Sequence, residues 1–184
     1  MIPPTYLQGL DANDFDIRGV YGIRHARMSG SWRIVCSYSD GKRHKVQLFA
    51  RMAGAGQAEA RKTWEWHHIV EGQHFAEVDF AGRLPMMYAE ELPCVLIARE
   101  EHMAYNRLLH SGETDELYRD AGLPATLRQR SAQTAIAARD KTQHAALRSR
   151  LGQLQQLYRD AYAGDQVLAT IARNILQHAQ AQLR

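Results

Sequence analysis

The densest concentration of side chains able to do chemistry lies in the stretch Trp64-Glu-Trp-His-His-Ile-Val-Glu71, followed by Gln73-His74. A neutral imidazole near pH 7 can ligate a divalent cation or take a proton from water. His67 and His68 are adjacent, so on a strand their side chains point to opposite faces. A bend in the backbone there lets one face a metal while the other faces a substrate. Some thirty residues on, Arg99-Glu-Glu-His-Met-Ala-Tyr-Asn-Arg-Leu-Leu-His110 sets His102, Asn106 and His110 four residues apart, on one helical face. Such a set can hold one divalent ion and, through an imidazole, activate water, which are the parts of a metal-assisted hydrolysis. Glu65 or Glu71 can orient a histidine from behind. Gln73, His74 and His110 are further candidates for that supporting shell. A second reading of the same residues is a packed or structural-metal site with no catalysis.

The elements that must position these residues follow from periodicity. Gly19–Arg24, Trp32–Tyr38 and Lys45–Phe49 are rich in β-formers and read as strands. The Asp-Gly of Ser39-Asp40-Gly41-Lys42 predicts a tight hairpin turn between the last two. Ala53–Gly56 reads as a flexible joint. Thr63–Val70 is again extended, and the apolar run Cys94–Ile97 after Pro93 reads as a buried strand. The period turns helical from Arg99 to Leu109, with Met103, Leu108 and Leu109 available for packing. Everything after Thr114 is helix-like. Leu147, Leu151, Leu154, Tyr158 and Ala161 form one amphipathic stripe; Gly164-Asp165 breaks it, and Val167, Leu168, Ile171 and Ile175 begin another.

His67-His68, a short strand, and a helix carrying His102 and Asn106 together resemble the ββα-metal fold of HNH, or His-Me finger, nucleases. More narrowly, Trp66–Glu71, Leu92–Ile97 and His102 are similar to nuclease domains of bacterial polymorphic toxins, carried by contact-dependent or type VI secretion effectors. Leu157–Gly164 resembles the helical tail of such domains. The resemblance covers residues 63–112 well, 150–175 loosely, and the first sixty residues not at all. It implies that His68 is the general base, that His67 and His102 are metal ligands, and that Asn106 is a further ligand. It implies DNA as substrate, with RNA as the enzymatic alternative, and a cognate immunity protein and a secretion carrier as partners. The setting it implies is a protein cytoplasmic in its producer and delivered into a target cell. The sequence departs from the family at one point. The asparagine expected before the second strand would fall near Pro93, and no asparagine lies between His68 and Asn106. A backbone carbonyl or Gln73 is left to orient the base.

The fold expected is α+β: a β-rich N-terminal region over 1–60 with an antiparallel sheet, then a ββα-metal core with a helical tail over 61–184, in one compact unit. The metal is one divalent ion (Mg, Mn, Zn or Ni), since histidine with an amide or carboxylate accepts each. Charge is strongly segmented. Residues 1–64 carry ten basic against five acidic side chains, residues 65–122 four against twelve, and residues 123–184 nine against three. An acidic centre between basic flanks suits a cation flanked by a polyanion. Arg24, Arg43, Lys45, Arg128 and Arg130 are the candidate nucleic-acid contacts. An immunity protein covering a basic cleft would be acidic. The rival class is a non-catalytic binding module, immunity or secretion-associated, with a structural metal. Cys36 and Cys94 are too few for a zinc ribbon and read as buried, reduced thiols. No run of eighteen apolar residues predicts membrane insertion, and the first ten residues lack the pattern of a signal peptide.

Overall fold

The computed structural model describes residues 2, 4–9, 15–17, 21–24, 32–43, 63–71, 92–109 and 144–183. The expected strand at 45–49, the joint at 53–56 and the stretch 114–143 lie outside the described residues. Five strands form one antiparallel sheet: β1 (Phe15–Ile17), β2 (Tyr21–Arg24), β3 (Trp32–Ser37), β4 (Trp64–His68) and β5 (Pro93–Ala98), in the order β1-β2-β3-β5-β4. Because β3 pairs with β5 as well as with β2, the sheet is continuous across the expected boundary at residue 60. The molecule is α+β, with strands and helices on one chain.

β5 is inserted between β3 and β4, and the sheet is covered on both sides. On one face Val35, Val95, Ile97 and His67 are buried; on the other Ile34, Cys36, Cys94 and Leu96 are buried. A strand buried on both faces loses polar alternation. That is why Cys94–Ile97 reads as an unbroken apolar run. Pro93 is tolerated in this central strand because it is the first residue, where a missing N–H costs least. Neighbouring strands still close around it: the Ile69 N–H donates to its carbonyl at 3.0 Å and the Tyr38 N–H donates to that of Leu92 at 3.0 Å.

The Asp-Gly turn is corrected by the structure. Tyr38–Arg43 forms a short helix, α1, where a hairpin was expected. Ser37 is the reason: its hydroxyl accepts from the Asp40 N–H at 3.2 Å and donates to the Asp40 carboxylate at 2.6 Å. Such a Ser-x-x-Asp box favours helix initiation, and Lys42 and Arg43 suit the last turn. Gly41 in mid-helix allows α1 to lie on the sheet. A Cβ there would come within 3.1 Å of the Trp66 ring and 3.3 Å of Cys36 Sγ.

Among the described residues three longer helices follow: α2 (Arg99–Leu109), α3 (His144–Ala161) and α4 (Gln166–Gln182). α3 and α4 cover the face bearing Val95 and Ile97 with Leu151, Leu154, Tyr158, Leu168, Ile171, Ile175 and Leu176, all buried. Each such side chain contributes roughly 1.5–3 kcal/mol on leaving water. Asp165 caps α4, accepting from the Leu168 N–H at 3.2 Å. Asn174 Nδ2 ties the N-terminal segment to α4 by donating to the carbonyls of Tyr6 and Gln8. Along α2 only part of the expected packing set turns inward. Leu109 is buried, but Met103 and Leu108 are 46% and 51% exposed. The inward face of that helix carries His102, Tyr105, Asn106 and Leu109. Among the described residues, no helix is long and apolar enough to cross a membrane.

Candidate functional site

β4 and β5 are antiparallel, and α2 begins where β5 ends, so α2 folds back over the β4 face that carries Glu65 and His67. The rings of His67 and His102 lie 5.2 Å apart between centroids, edge to face. Tyr105, one turn after His102, stacks on His67 with the ring centroids 5.2 Å apart. Glu65 stands two residues before His67 on the same face. Its Oε2 lies 3.0 Å from His102 Nδ1, without hydrogen-bond alignment, and its Oε1 lies 3.5 Å from Arg99 Nε. Asn106 Oδ1 is buried and, among the described residues, has no hydrogen-bond partner. An unpaired buried amide oxygen costs about 1–3 kcal/mol, so a structure that keeps one invites an explanation.

His67 is fully buried, and one partner fixes its chemistry. Tyr162, ninety-five residues away, donates its single hydroxyl hydrogen to the Ile69 carbonyl at 2.8 Å. The same oxygen is 2.8 Å from His67 Nε2. With its hydrogen already committed, Tyr162 can only accept from His67. His67 is therefore protonated at Nε2, which leaves Nδ1 as the nitrogen able to offer a lone pair when the ring is neutral. Burial drives the Tyr162 phenol well above the ordinary tyrosine range, with nearby Tyr158 and Tyr105 adding to it. The hydroxyl stays neutral and the network stays intact. Tyr158 braces the strand end in the same way, accepting the Glu71 N–H at 2.8 Å.

His68 is not brought to this cluster. β4 runs through both histidines without the expected bend, so strict alternation sends His68 to the opposite face. There it lies 4.6 Å from the Tyr38 ring of α1, and Lys42 Nζ stands over the same ring at 4.3 Å. It shares a row with Cys94 and Cys36, its cross-strand neighbours. Both thiols are buried and free. Burial, reinforced by Asp40, pushes Cys36 up to about 12, and burial, reinforced by Cys36, holds Cys94 well above the ordinary thiol range. Neither is a thiolate near neutrality, so this row offers no nucleophile.

Of the remaining candidates, Glu71 is half-buried at the end of the β4 segment, and Arg43 is exposed on α1, 3.9 Å from Asp40. Arg24 closes β2. Gln73, His74, His110, Lys45, Arg128 and Arg130 lie outside the described residues. Tyr162, Tyr105 and Arg99 are the cluster members that sequence reasoning did not single out. The faint signal for Tyr162 was two tyrosines four apart, Tyr158 and Tyr162, ending a stripe otherwise made of leucine.

Among the described residues no three His, Cys, Asp or Glu side chains form a metal-binding group. A cation here would need the Asn106 amide as its third donor beside His67 and His102. The unpaired Oδ1 fits that role. The ring spacing fits as well, since two imidazoles bound at about 2.0–2.1 Å to one ion sit roughly 5 Å apart. No protein-family profile, no curated protein and no solved structure matches this chain.

Proposed function

We propose that this chain is a metal-dependent endonuclease of the ββα-metal kind, with its centre between β4 and α2. One observation carries the reading: two imidazoles from different elements lie 5.2 Å apart, each with one ring nitrogen facing a partner. Tyr162 holds His67 at Nε2, and Glu65 faces His102 at Nδ1. Histidines that bind a metal through one nitrogen are characteristically oriented through the other. His67 by Nδ1, His102 by Nε2 and Asn106 by Oδ1 would hold the ion. A divalent ion there supplies Lewis-acid stabilisation of the charge that builds on a phosphodiester oxygen. Arg99, 61% exposed beside Glu65, would steady a phosphate of the substrate. The basic flanks suit a polyanionic substrate, and the resemblance supplies a setting, a toxin domain neutralised in its producer by an immunity protein.

The test is nicking of supercoiled plasmid with Mg²⁺, Mn²⁺, Ni²⁺ or Zn²⁺. His102→Ala and Asn106→Ala should each lose at least about tenfold of the activity, with circular dichroism unchanged. Cleavage that survives a chelator at the wild-type rate rules the metal reading out.

A second reading is favoured by the Glu65 contacts themselves. A carboxylate 3.0 Å from an imidazole and 3.5 Å from a guanidinium is also an acid–base pair with a phosphate clamp. Such a set could cut RNA without metal. Chelator-resistant RNA cleavage lost in both Glu65→Gln and His102→Ala would select it.

A further inference from the structure

Outside the cluster, α3 and α4 enclose a cleft of about 150 Å³ lined by Gln155, Arg159, Gln166, Ala169, Thr170 and Arg173. Its charge is one-sided. Arg159 comes from α3 and Arg173 from α4, and among the described residues no acidic side chain lines the cleft. Among the described residues neither guanidinium is ion-paired. The two acidic residues of this helix pair are engaged elsewhere. Asp160 accepts from Gln156 Nε2 at 2.8 Å, and buried Asp165 turns Oδ1 into the start of α4.

The cleft is braced. Gln180 of α4 donates to the Arg148 carbonyl at 2.8 Å and accepts from Gln155 Nε2 at 2.8 Å. This amide relay fixes the separation of α3 and α4 and holds Gln155 at the edge of the cleft. Two like charges facing one small space repel when it is empty, and an anion between them removes that cost. The volume is that of roughly five waters, enough for one phosphate group with part of its hydration.

We propose that this cleft binds one phosphate group of a nucleic-acid strand between Arg159 and Arg173. The inference rests on the nucleic-acid reading above and adds to it a contact point away from the β4–α2 cluster. Two arginines suit the task because each fork can take two phosphate oxygens at once. Such a contact fixes the strand without reading its bases.

The experiment titrates a single-stranded DNA oligonucleotide onto the whole chain in chelator, so that binding is read without metal-dependent cleavage, across a series of salt concentrations. Inorganic phosphate is titrated in parallel and followed by the arginine side-chain resonances. Arg159→Gln and Arg173→Gln change exposed positions and should leave the fold intact. Each should weaken oligonucleotide binding similarly for different sequences and lower the log–log salt slope by about 1, and the double variant by about 2. Oligonucleotide binding with unchanged affinity and slope in both variants overturns the cleft while leaving the nuclease reading standing. If the wild type binds no oligonucleotide, the nucleic-acid reading falls, and with it the strand as occupant. Saturable shifts of Arg159 and Arg173 with inorganic phosphate would then assign the cleft to a free phosphate. Their absence would remove it as an anion site.

Discussion

β4 presents two faces built from alternating residues of one five-residue strand, and they differ in what surrounds a histidine. On the face under α2 and α3, His67 is fully buried, hydrogen-bonded to Tyr162, stacked on Tyr105 and edge-on to His102. On the face under α1, His68 is half-buried and lies against Tyr38, beside two neutral thiols. The same imidazole, one residue apart, is in one case part of a polar network inside the core and in the other a packing group. The difference comes from the tyrosines. Their hydroxyls make it affordable to bury a histidine, because a buried ring nitrogen without a partner would cost about as much as the burial gains.

The largest effects should fall on the α2 face. His67→Ala removes a buried ring and the donor to Tyr162, and should cost about 3 kcal/mol or more of stability. Urea denaturation measures that loss. His67→Gln separates folding from function, since an amide can still donate to Tyr162 while the second ring nitrogen is gone. It should fold and fail to cut. His68→Ala should cost only about 1 kcal/mol and leave cleavage within a few-fold of wild type. The opposite result, a dead His68→Ala and an active His67→Gln, would invert the comparison and restore His68 as the base.

Much of the frame was legible. The shift from strand to helix at Arg99, the buried run at 94–97 and the break at Gly164-Asp165 each rest on local pattern, and all three appear where the pattern puts them. The errors were also local. Asp40-Gly41 competes between turn and helix, and the Ser37 cap decided it. Met103 and Leu108 are apolar, but they fall on the outer face of α2 while a histidine and an asparagine fall on the inner one. The convergence of Glu65, His102 and Asn106 could be anticipated from spacing on strand and helix. Tyr162 on Nε2 of His67 could not, because a contact across ninety-five residues leaves no periodic trace.

Next in size is Glu65→Gln. It keeps the shape of the side chain but removes the charge facing His102 Nδ1 and Arg99. If Glu65 orients a ligand histidine, metal affinity should fall about 10- to 100-fold, read as a rise in the Mg²⁺ or Mn²⁺ concentration for half-maximal cleavage. A loss confined to the maximal rate, with unchanged metal dependence, favours the acid–base reading of the same pair.

Tyr162 makes the α2 face sensitive to alkali. Burial raises its folded-state pKa above the ordinary value of 10.0. The folded state therefore keeps a proton that the unfolded chain releases. The stabilisation is fully present below pH 10 and declines as pH rises from there toward the folded value. One such group contributes a slope of up to about 1.4 kcal/mol per pH unit. Denaturation midpoints between pH 8 and 11 should fall more steeply for the wild type than for Tyr162→Phe. Equal slopes would mean that the phenol is not held neutral by the core.

The smallest expected change tests the α1 face by itself. Gly41→Ala should gain up to about 1 kcal/mol of helix propensity, less in so short a helix. Against that, the new methyl meets Trp66 Cε2 at 3.1 Å, Cζ2 at 3.2 Å and Cys36 Sγ at 3.3 Å. Overpacking typically costs about 1–3 kcal/mol. Trp66 is half-buried and can yield by a few tenths of an ångström, whereas Cys36 is buried in β3 between paired strands and cannot. The balance is a net loss near 1 kcal/mol, a fall in Tm of about 2–4 °C. Cleavage should not change, because the strain enters the face of β4 that carries Trp66 and His68. A cleavage defect in this variant, with only that small fall in Tm, would show that the two faces communicate through the strand, and that His68 and its neighbours support the site from behind.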